Sequence, residues 1–291
     1  MYYIIMDLEW NNAFVQRTQS YINEIIEIGA VMLNDRLEKV DEFSSLIRSR
    51  INKKLRSNIK KLTHISNSDM RNSEPFETVM QNFEFWIGGR ENVILTWGNS
   101  DIRVIIENYR VLAKKNTVPF LKNYTDVQRY FQIRRGIPVE KQLGLSAAAE
   151  EIGLDSTDFS HHRALDDSLI TAECFRHVFD KDFASYIRPC NTEFYDRLFF
   201  KPYAIGNPNH PLVDKSLLDY KCEECGAQGK IIKNWRYSNQ YFRATYICPQ
   251  CEKRVRIAVR FKKYYDRLDV RKTVTPIVDE ENKTPIQNSL E

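Results

Sequence analysis

Ile4-Ile5-Met6-Asp7-Leu8-Glu9-Trp10 sets two acids two residues apart inside an apolar run. The run, residues 2–10, is long enough for a buried strand. Side chains alternate across a strand, so Asp7 and Glu9 share one face. Adjacent carboxylates repel, and burying them unpaired is costly. A divalent cation between them would resolve both problems. Taken alone, an acid-x-acid pair reads more simply as the exposed face of an edge strand. Residues 22–33 and 40–47 read as two further strands, joined near the polar turn Asn34-Asp35-Arg36. Phe76, Val79, Met80, Phe83 and Ile87 then recur at helical spacing, with Ser73 as N-cap before Pro75 and Gly88-Gly89 as the stop. A strand over 93–97, a helix over 101–115, a short strand over 123–127 and helices over 145–151 and 164–179 complete the pattern. Strands followed by alternation predict an α/β or α+β sheet covered by helices, and α/β is the reading adopted.

Outside this region the composition changes. Prolines 189, 202, 208 and 211 with Gly206 mark an irregular connector over 186–215. Residues 216–272 hold 14 Lys/Arg against 6 Asp/Glu, a surplus of eight. The whole chain is only +4, so the remainder sums to −4. Residues 273–291 are polar and expected to be disordered. The 291 residues suit one large domain and a smaller one. No apolar run approaches membrane-spanning length, and the N-terminus has no basic region followed by a long apolar stretch. The expected location is therefore cytoplasmic, with no membrane partner. A reducing compartment favours metal over disulfides for the six cysteines.

Two further acidic signals accompany Asp7 and Glu9. Asp101 opens a helix directly after Leu95-Thr96-Trp97-Gly98-Asn99-Ser100, where an acid is in any case favoured by the helix dipole. His162-Arg163-Ala164-Leu165-Asp166-Asp167 opens another helix. The order and spacing of these elements resemble the three motifs of the DEDDh exonuclease superfamily. Asp7/Glu9 stand for the first, Asp101 for the second, and His162 with Asp167 in an H-x-A-x-x-D string for the third. The resemblance covers roughly residues 1–185. Thr96 to Asp101 and residues 31–65 look closest to the branch of ERI-type exoribonucleases and KapD-type proteins.

The resemblance implies an RNase H-like mixed sheet flanked by helices over 1–185, and a 3′→5′ exonuclease releasing nucleoside 5′-monophosphates. It implies two Mg²⁺ or Mn²⁺ ions held by Asp7, Glu9, Asp101 and Asp167. Asp7 would bridge both ions, Glu9 and Asp167 would hold the one that activates water, and Asp101 would support the other. His162 would take the proton of the attacking water. Asp166 is then a solvated neighbour. The substrate implied by the branch is single-stranded nucleic acid, RNA before DNA. A single-stranded DNA exonuclease of proofreading type and a catalytically idle adaptor are the alternatives. Trp10 and Trp97 lie close to motif residues, where each would stack on a terminal base or pack in the core. His64 would face the nucleotide channel or sit on the surface.

Cys222-x₂-Cys225 and Cys248-x₂-Cys251 stand 22 residues apart. Four thiolates at this spacing match one closed, structural Zn²⁺ site. Disulfides and a redox pair are the rival readings. Arms over 230–237 and 241–247 around Ser238-Asn239-Gln240 make the hairpin of a small C-terminal zinc ribbon, residues 216–272. In the strand that follows, Val255, Ile257, Val259 and Phe261 alternate with Arg254, Arg256, Arg260 and Lys262. Those four cations, with interleaved aromatics such as Trp235, Tyr237, Tyr241, Phe242 and Tyr246, suit single-stranded nucleic acid. A charge-protected edge strand over a tiny aromatic core is the plainer reading. A protein partner docked on the ribbon is the other possibility.

Overall fold

In the computed structural model, residues 1–154 and 162–277 are described. They form two compact units, Met1–Leu198 and a second beginning at Phe199. In chain order the strands are β1 (Tyr2–Val15), β2 (Ser20–Leu33), β3 (Lys39–Arg48), β4 (Glu74–Pro75), β5 (Asn92–Thr96), β6 (Asn123–Asp126), β7 (Arg188–Pro189), β8 (Tyr203–Ala204), β9 (Lys230–Ser238), β10 (Tyr241–Ile247), β11 (Arg254–Lys263) and β12 (Leu268–Pro276). The α-helices are α1 (Ser57–Thr63), α2 (Asn67–Asn72), α3 (Phe76–Ile87), α4 (Ser100–Val111), α5 (Val127–Arg135), α6 (Leu145–Glu151), α7 (Ala164–Val178) and α8 (Thr192–Phe199).

The first unit is a seven-stranded mixed sheet, ordered β4-β3-β2-β1-β5-β6-β7. β1 runs antiparallel to β2 and parallel to β5. It is thus the central strand. Its acids are not the solvated face of an edge, because both flanks of β1 are occupied and Ile4, Ile5, Met6 and Leu8 are buried. Tyr3 and Ile5 point to the same side as Asp7. On that side they join one apolar cluster with Phe131, Ile170, Phe175 and Phe183 from α5, α7 and the chain beyond. Tyr3 meets Phe175 edge-on at 5.4 Å. Tyr130 of α5 donates from its hydroxyl to the Val178 carbonyl at 3.1 Å, locking α5 to the end of α7.

The strand pattern was shorter in the sequence than in the fold. β1 and β2 each extend to 14 residues, and a register shift between Glu9 and Trp10 carries the ladder past the acids. Ser73 does not cap α3; it ends α2, and Pro75 precedes α3, because Glu74–Pro75 pairs with β3 as β4. Helix α4 stops at Val111 rather than near 115, and Lys114 already holds a positive φ of 55°. Fully buried Asn108 pins α4 to β2. Its side-chain oxygen accepts from Ile25 N at 3.1 Å, and its amide donates to Asn23 O at 2.7 Å.

The connector expected over 186–215 is more ordered than its prolines suggest. It contains β7, α8 and β8, so the first compact unit runs on to Leu198. The tail expected to be disordered from 273 is also corrected at its start. Residues up to Pro276 pair with β11 as part of β12, with Val274 opposite Ile257. Residues 278–291 lie outside the described part.

The second unit is a sheet ordered β12-β11-β10-β9, with β8 added on β11. One face packs Phe242, Tyr246, Ile257, Val259 and Phe261 with Ile205, Val213 and Tyr220. Trp235 packs against the same cluster, and Tyr237 lies 5.2 Å from Phe242. Of the aromatics expected to interleave with the cations, Phe242 and Tyr246 are core and Trp235 packs partly against it, because a unit this small has few other residues with which to build one. Tyr237 is exposed and Tyr241 half-buried.

Candidate functional site

Three elements bring the acids together. β1 places Asp7 and Glu9 beyond Tyr3 and Ile5 on the face that α7 covers. Asp101 comes from the first turn of α4. The bend before that helix is held by Gly98, whose φ is 82°, and by the Tyr124 hydroxyl, which donates to the Gly98 carbonyl at 2.9 Å. Asp101 itself is 4% exposed, and its Oδ1 accepts from the Leu8 backbone N–H at 3.1 Å. The hydrogen bond therefore ties the second acidic motif to the strand that carries the first. Asp167 comes from the first turn of α7.

The charges of these acids are unbalanced. Burial first, then Asp101, Asp167, Glu9 and Glu27, hold the Asp7 carboxyl well above the usual carboxylate range. Burial, Asp167, Glu27 and Asp101 push Glu9 up to about 8, against a smaller opposing pull from Arg163. Burial likewise raises Asp101 to about 7, opposed by backbone hydrogen bonds and reinforced by Asp167. Such a group stays fully ionised at neutral pH only with added positive charge. One ligating atom each of Glu9, His162 and Asp167 lies within 4.8 Å of the others. A set of carboxylate oxygens with one imidazole suits a hard divalent ion. His162 is exposed, and its φ of 66° is unusual for a residue with a side chain. Asp166 instead lies close enough to Arg163 to raise its pKa.

Three residues that the sequence reading passed over hold α7 in place. Gly29 sits opposite Asp7 in the β1–β2 ladder. A Cβ there would overlap the backbone of Ala164 and Leu165, so only glycine lets the helix start approach the sheet this closely. Ser168 donates to the Gly29 carbonyl at 3.0 Å. Glu27 pairs with Glu9 across the strands and is 1% exposed. Like charges facing each other are unfavourable. Arg163 relieves this by donating Nε at 3.1 Å and Nη2 at 2.6 Å to Glu27 Oε1, and the Ala164 N–H donates to Glu27 Oε2 at 3.3 Å. The available signals were a glycine and an acid inside the apolar run of β2.

The tryptophans divide. Trp10 is half-buried beside the bulge in β1. Trp97 belongs to core packing: its ring lies 5.7 Å from Phe131, and its indole N–H donates to Leu143 O at 3.0 Å. His64 is exposed and forms the left-handed C-cap of α1, with a φ of 59°.

In the second unit, one sulfur from each of Cys222, Cys225, Cys248 and Cys251 falls within 4.8 Å of the rest. The two Cys-x₂-Cys turns repeat one hydrogen-bond pattern. Cys222 N donates to Ala227 O and Gly226 N to Cys222 O, both at 2.9 Å; Cys248 N donates to Lys253 O and Glu252 N to Cys248 O, again at 2.9 Å. Gly226 and Glu252 hold the matching positive φ values of 70° and 56°. Backbone N–H groups of Cys225 and Glu224 pull the Cys222 thiol down to about 6. The Cys251 backbone N–H likewise lowers Cys248, so four convergent sulfurs, two of them inclined to ionise, fit a tetrahedral metal site.

Comparison with known proteins places this geometry among nucleases. The exonuclease family (RNase_T) matches residues 4–175, all within the first unit. The chain is 32% identical over 161 residues to the probable 3′-5′ exonuclease KapD of Bacillus subtilis (strain 168), which covers 55% of this chain and 75% of that protein. It is 28% identical over 177 residues to a PolC-type DNA polymerase III of Thermotoga petrophila, where 60% of this chain spans 11% of the relative. The solved nuclease domain of 3′hExo, a DEDDh family member bound to rAMP, resembles it with a TM-score of 0.52 and 26% identity. That likeness covers 60% of this chain and 88% of the other.

Proposed function

The chain belongs to the exonuclease family, and from that premise we propose that it is a divalent-metal-dependent 3′→5′ exonuclease acting on single-stranded RNA and releasing nucleoside 5′-monophosphates. The observation that carries this reading is the meeting of Asp7, Glu9, Asp101 and Asp167 from three elements, where burial and then the charges of Asp101, Asp167 and Glu9 raise Asp7, and Asp167 also raises Glu9 and Asp101. A fold serving only as a binding scaffold gains nothing from that repulsion.

Two divalent ions bound there would neutralise charge at phosphorus and stabilise the leaving 3′-oxygen. Asp7 would hold both. Glu9 and Asp167 would hold one, and Asp101 would support the other. His162, exposed and close to Glu9 and Asp167, would accept a proton from the attacking water. The Glu27–Arg163 clamp would orient the turn that presents His162 and Asp167. In the second unit, Cys222, Cys225, Cys248 and Cys251 would hold one Zn²⁺. Four sulfurs leave no position open for water, so its role would be structural. The nuclease domain then corresponds to residues 1–198, and a basic zinc-ribbon module follows it.

RNA is favoured because the similar solved domain binds rAMP. The DNA polymerase relative keeps single-stranded DNA as the rival. Digestion of matched single-stranded RNA and DNA in Mg²⁺ and in Mn²⁺ decides between them. Faster hydrolysis of RNA, with nucleoside 5′-monophosphate as product, is expected. Faster hydrolysis of DNA would reassign the substrate.

A further inference from the structure

The four long strands of the second unit have one apolar face and one basic face. The apolar face is the core of Phe242, Tyr246, Ile257 and Phe261. By strand alternation and register, the other face carries Lys233 and Arg236 from β9, Arg243 from β10, Arg256 and Arg260 from β11, and Arg271 from β12. Lys233, Arg236, Arg243 and Arg256 line one cleft of about 330 Å³. Among the described residues, none of these four is in an ion pair. Asp269 is the single acid within the four strands, and it is engaged by Arg260 at 3.1 Å.

We infer that this four-stranded basic face docks double-helical RNA through its phosphate backbones. This rests on the proposed action on RNA and assigns the second unit its own part in it. Two observations select a duplex over a single strand. The first is width. Strands lie about 4.8 Å apart, so the cations from β9 to β12 spread over roughly 14 Å. A single strand offers one row of phosphates, whereas a double helix offers two rows flanking a groove. The second is the lack of a stacking platform. Sequence-tolerant single-strand binding relies on open aromatic faces as well as charge. The ring on this face, Tyr241, is covered by the guanidinium groups of Arg243 at 5.1 Å and Arg260 at 5.4 Å. Trp235 and Tyr246 pack together in the core at 6.1 Å. The face therefore offers charge without rings for bases to stack on, which reads shape and phosphate spacing rather than sequence.

The test uses the full chain, a blunt RNA duplex with phosphorothioate-protected 3′ ends, and a short single-stranded RNA. Binding is measured across a salt series for the wild type and for Lys233→Gln, Arg236→Gln and Arg243→Gln together. A second variant, Arg236→Lys with Arg243→Lys, keeps the charge. The glutamine variant is expected to lose at least about tenfold in duplex affinity. Its log–log salt slope should flatten by about 0.9 for each phosphate that the protein no longer neutralises. The lysine variant should retain both affinity and slope, which separates loss of charge from loss of fold. Cleavage of the short single strand should be unchanged. Equal duplex affinity and slope in the glutamine variant would overturn the inference, as would a loss confined to the single strand. If the wild type cleaved no RNA while the duplex effect persisted, the activity assignment would fail and the docking face would stand.

Discussion

The five motif residues differ in what their removal should do. Asp7→Ala takes away the proposed bridging ligand and should nearly abolish turnover. His162→Ala should leave substrate binding largely intact and lower kcat by roughly 10²–10⁴-fold, the effect of a lost general base. A near-wild-type kcat across neutral pH would remove His162 from that role. Asp166→Asn should be mild and Asp167→Asn severe, since Asp167 stands with Glu9 and His162 while Asp166 stands near Arg163. The acids also make stability depend on pH. Glu9 rises from 4.5 to about 8, and Asp101 from 3.8 to about 7. The folded state then holds protons that the unfolded chain has released. Its stability is fully present below the ordinary carboxylate values and is lost as pH rises through the raised ones. The metal-free protein should therefore melt at falling temperature between about pH 5 and pH 8.5, and Glu9→Gln should flatten that fall. Added Mg²⁺ should restore more stability at the upper end than at the lower. A melting temperature that rises with pH, equally in both proteins, would contradict this electrostatic account. Order and spacing were enough to single out these five residues in the sequence, and the fold brings ligating atoms of Glu9, His162 and Asp167 within 4.8 Å of one another. Their energetic state was not legible there, because it depends on Glu27 and on burial that only the packed sheet creates.

At the scale of elements, the site depends on how α7 meets β2. The sequence pattern located both elements within a few residues, because β2 is largely apolar despite Asn23, Glu24, Glu27 and Gly29 and α7 follows a clear motif. It did not reveal their contact, because closeness at Gly29 is a property of two segments more than a hundred residues apart in the chain. The same limit explains Ser73. Its type suits an N-cap, yet pairing of Glu74–Pro75 with β3 takes the backbone before α3 into a strand. Gly29→Ala should force the start of α7 away from the sheet, costing about 1–3 kcal/mol as overpacking does, and more if the helix cannot shift. Denaturant unfolding measures this directly. Unchanged stability with unchanged turnover would mean that α7 tolerates the displacement and that the close approach is dispensable. In the second unit, Cys248→Ser should release zinc and unfold the ribbon, because one lost thiolate breaks the closed set. Retention of stoichiometric zinc in that variant would rule out the four-sulfur site.

For the whole molecule, the sequence separated a near-neutral region from a basic one, and the structure draws its boundary at Leu198 and Phe199. Proline content misplaced that boundary, since α8 forms between Pro189 and Pro202 and ends the first unit. A chain stopped after Phe200 keeps every proposed catalytic residue. It should hydrolyse short single strands in a metal-dependent way, while losing affinity for long or base-paired RNA. The central claim is narrower, namely that the first unit removes nucleotides from a free 3′ end with divalent metal. Its most direct measurement is digestion of 5′-labelled single-stranded RNA by the full chain in Mg²⁺, in excess chelator, and in chelator followed by Mg²⁺. The account predicts a ladder of shortening 5′-labelled products in Mg²⁺, no products in chelator, and the ladder again after Mg²⁺ is returned. Full activity in chelator, or release of the 5′ label as the first product, would contradict it.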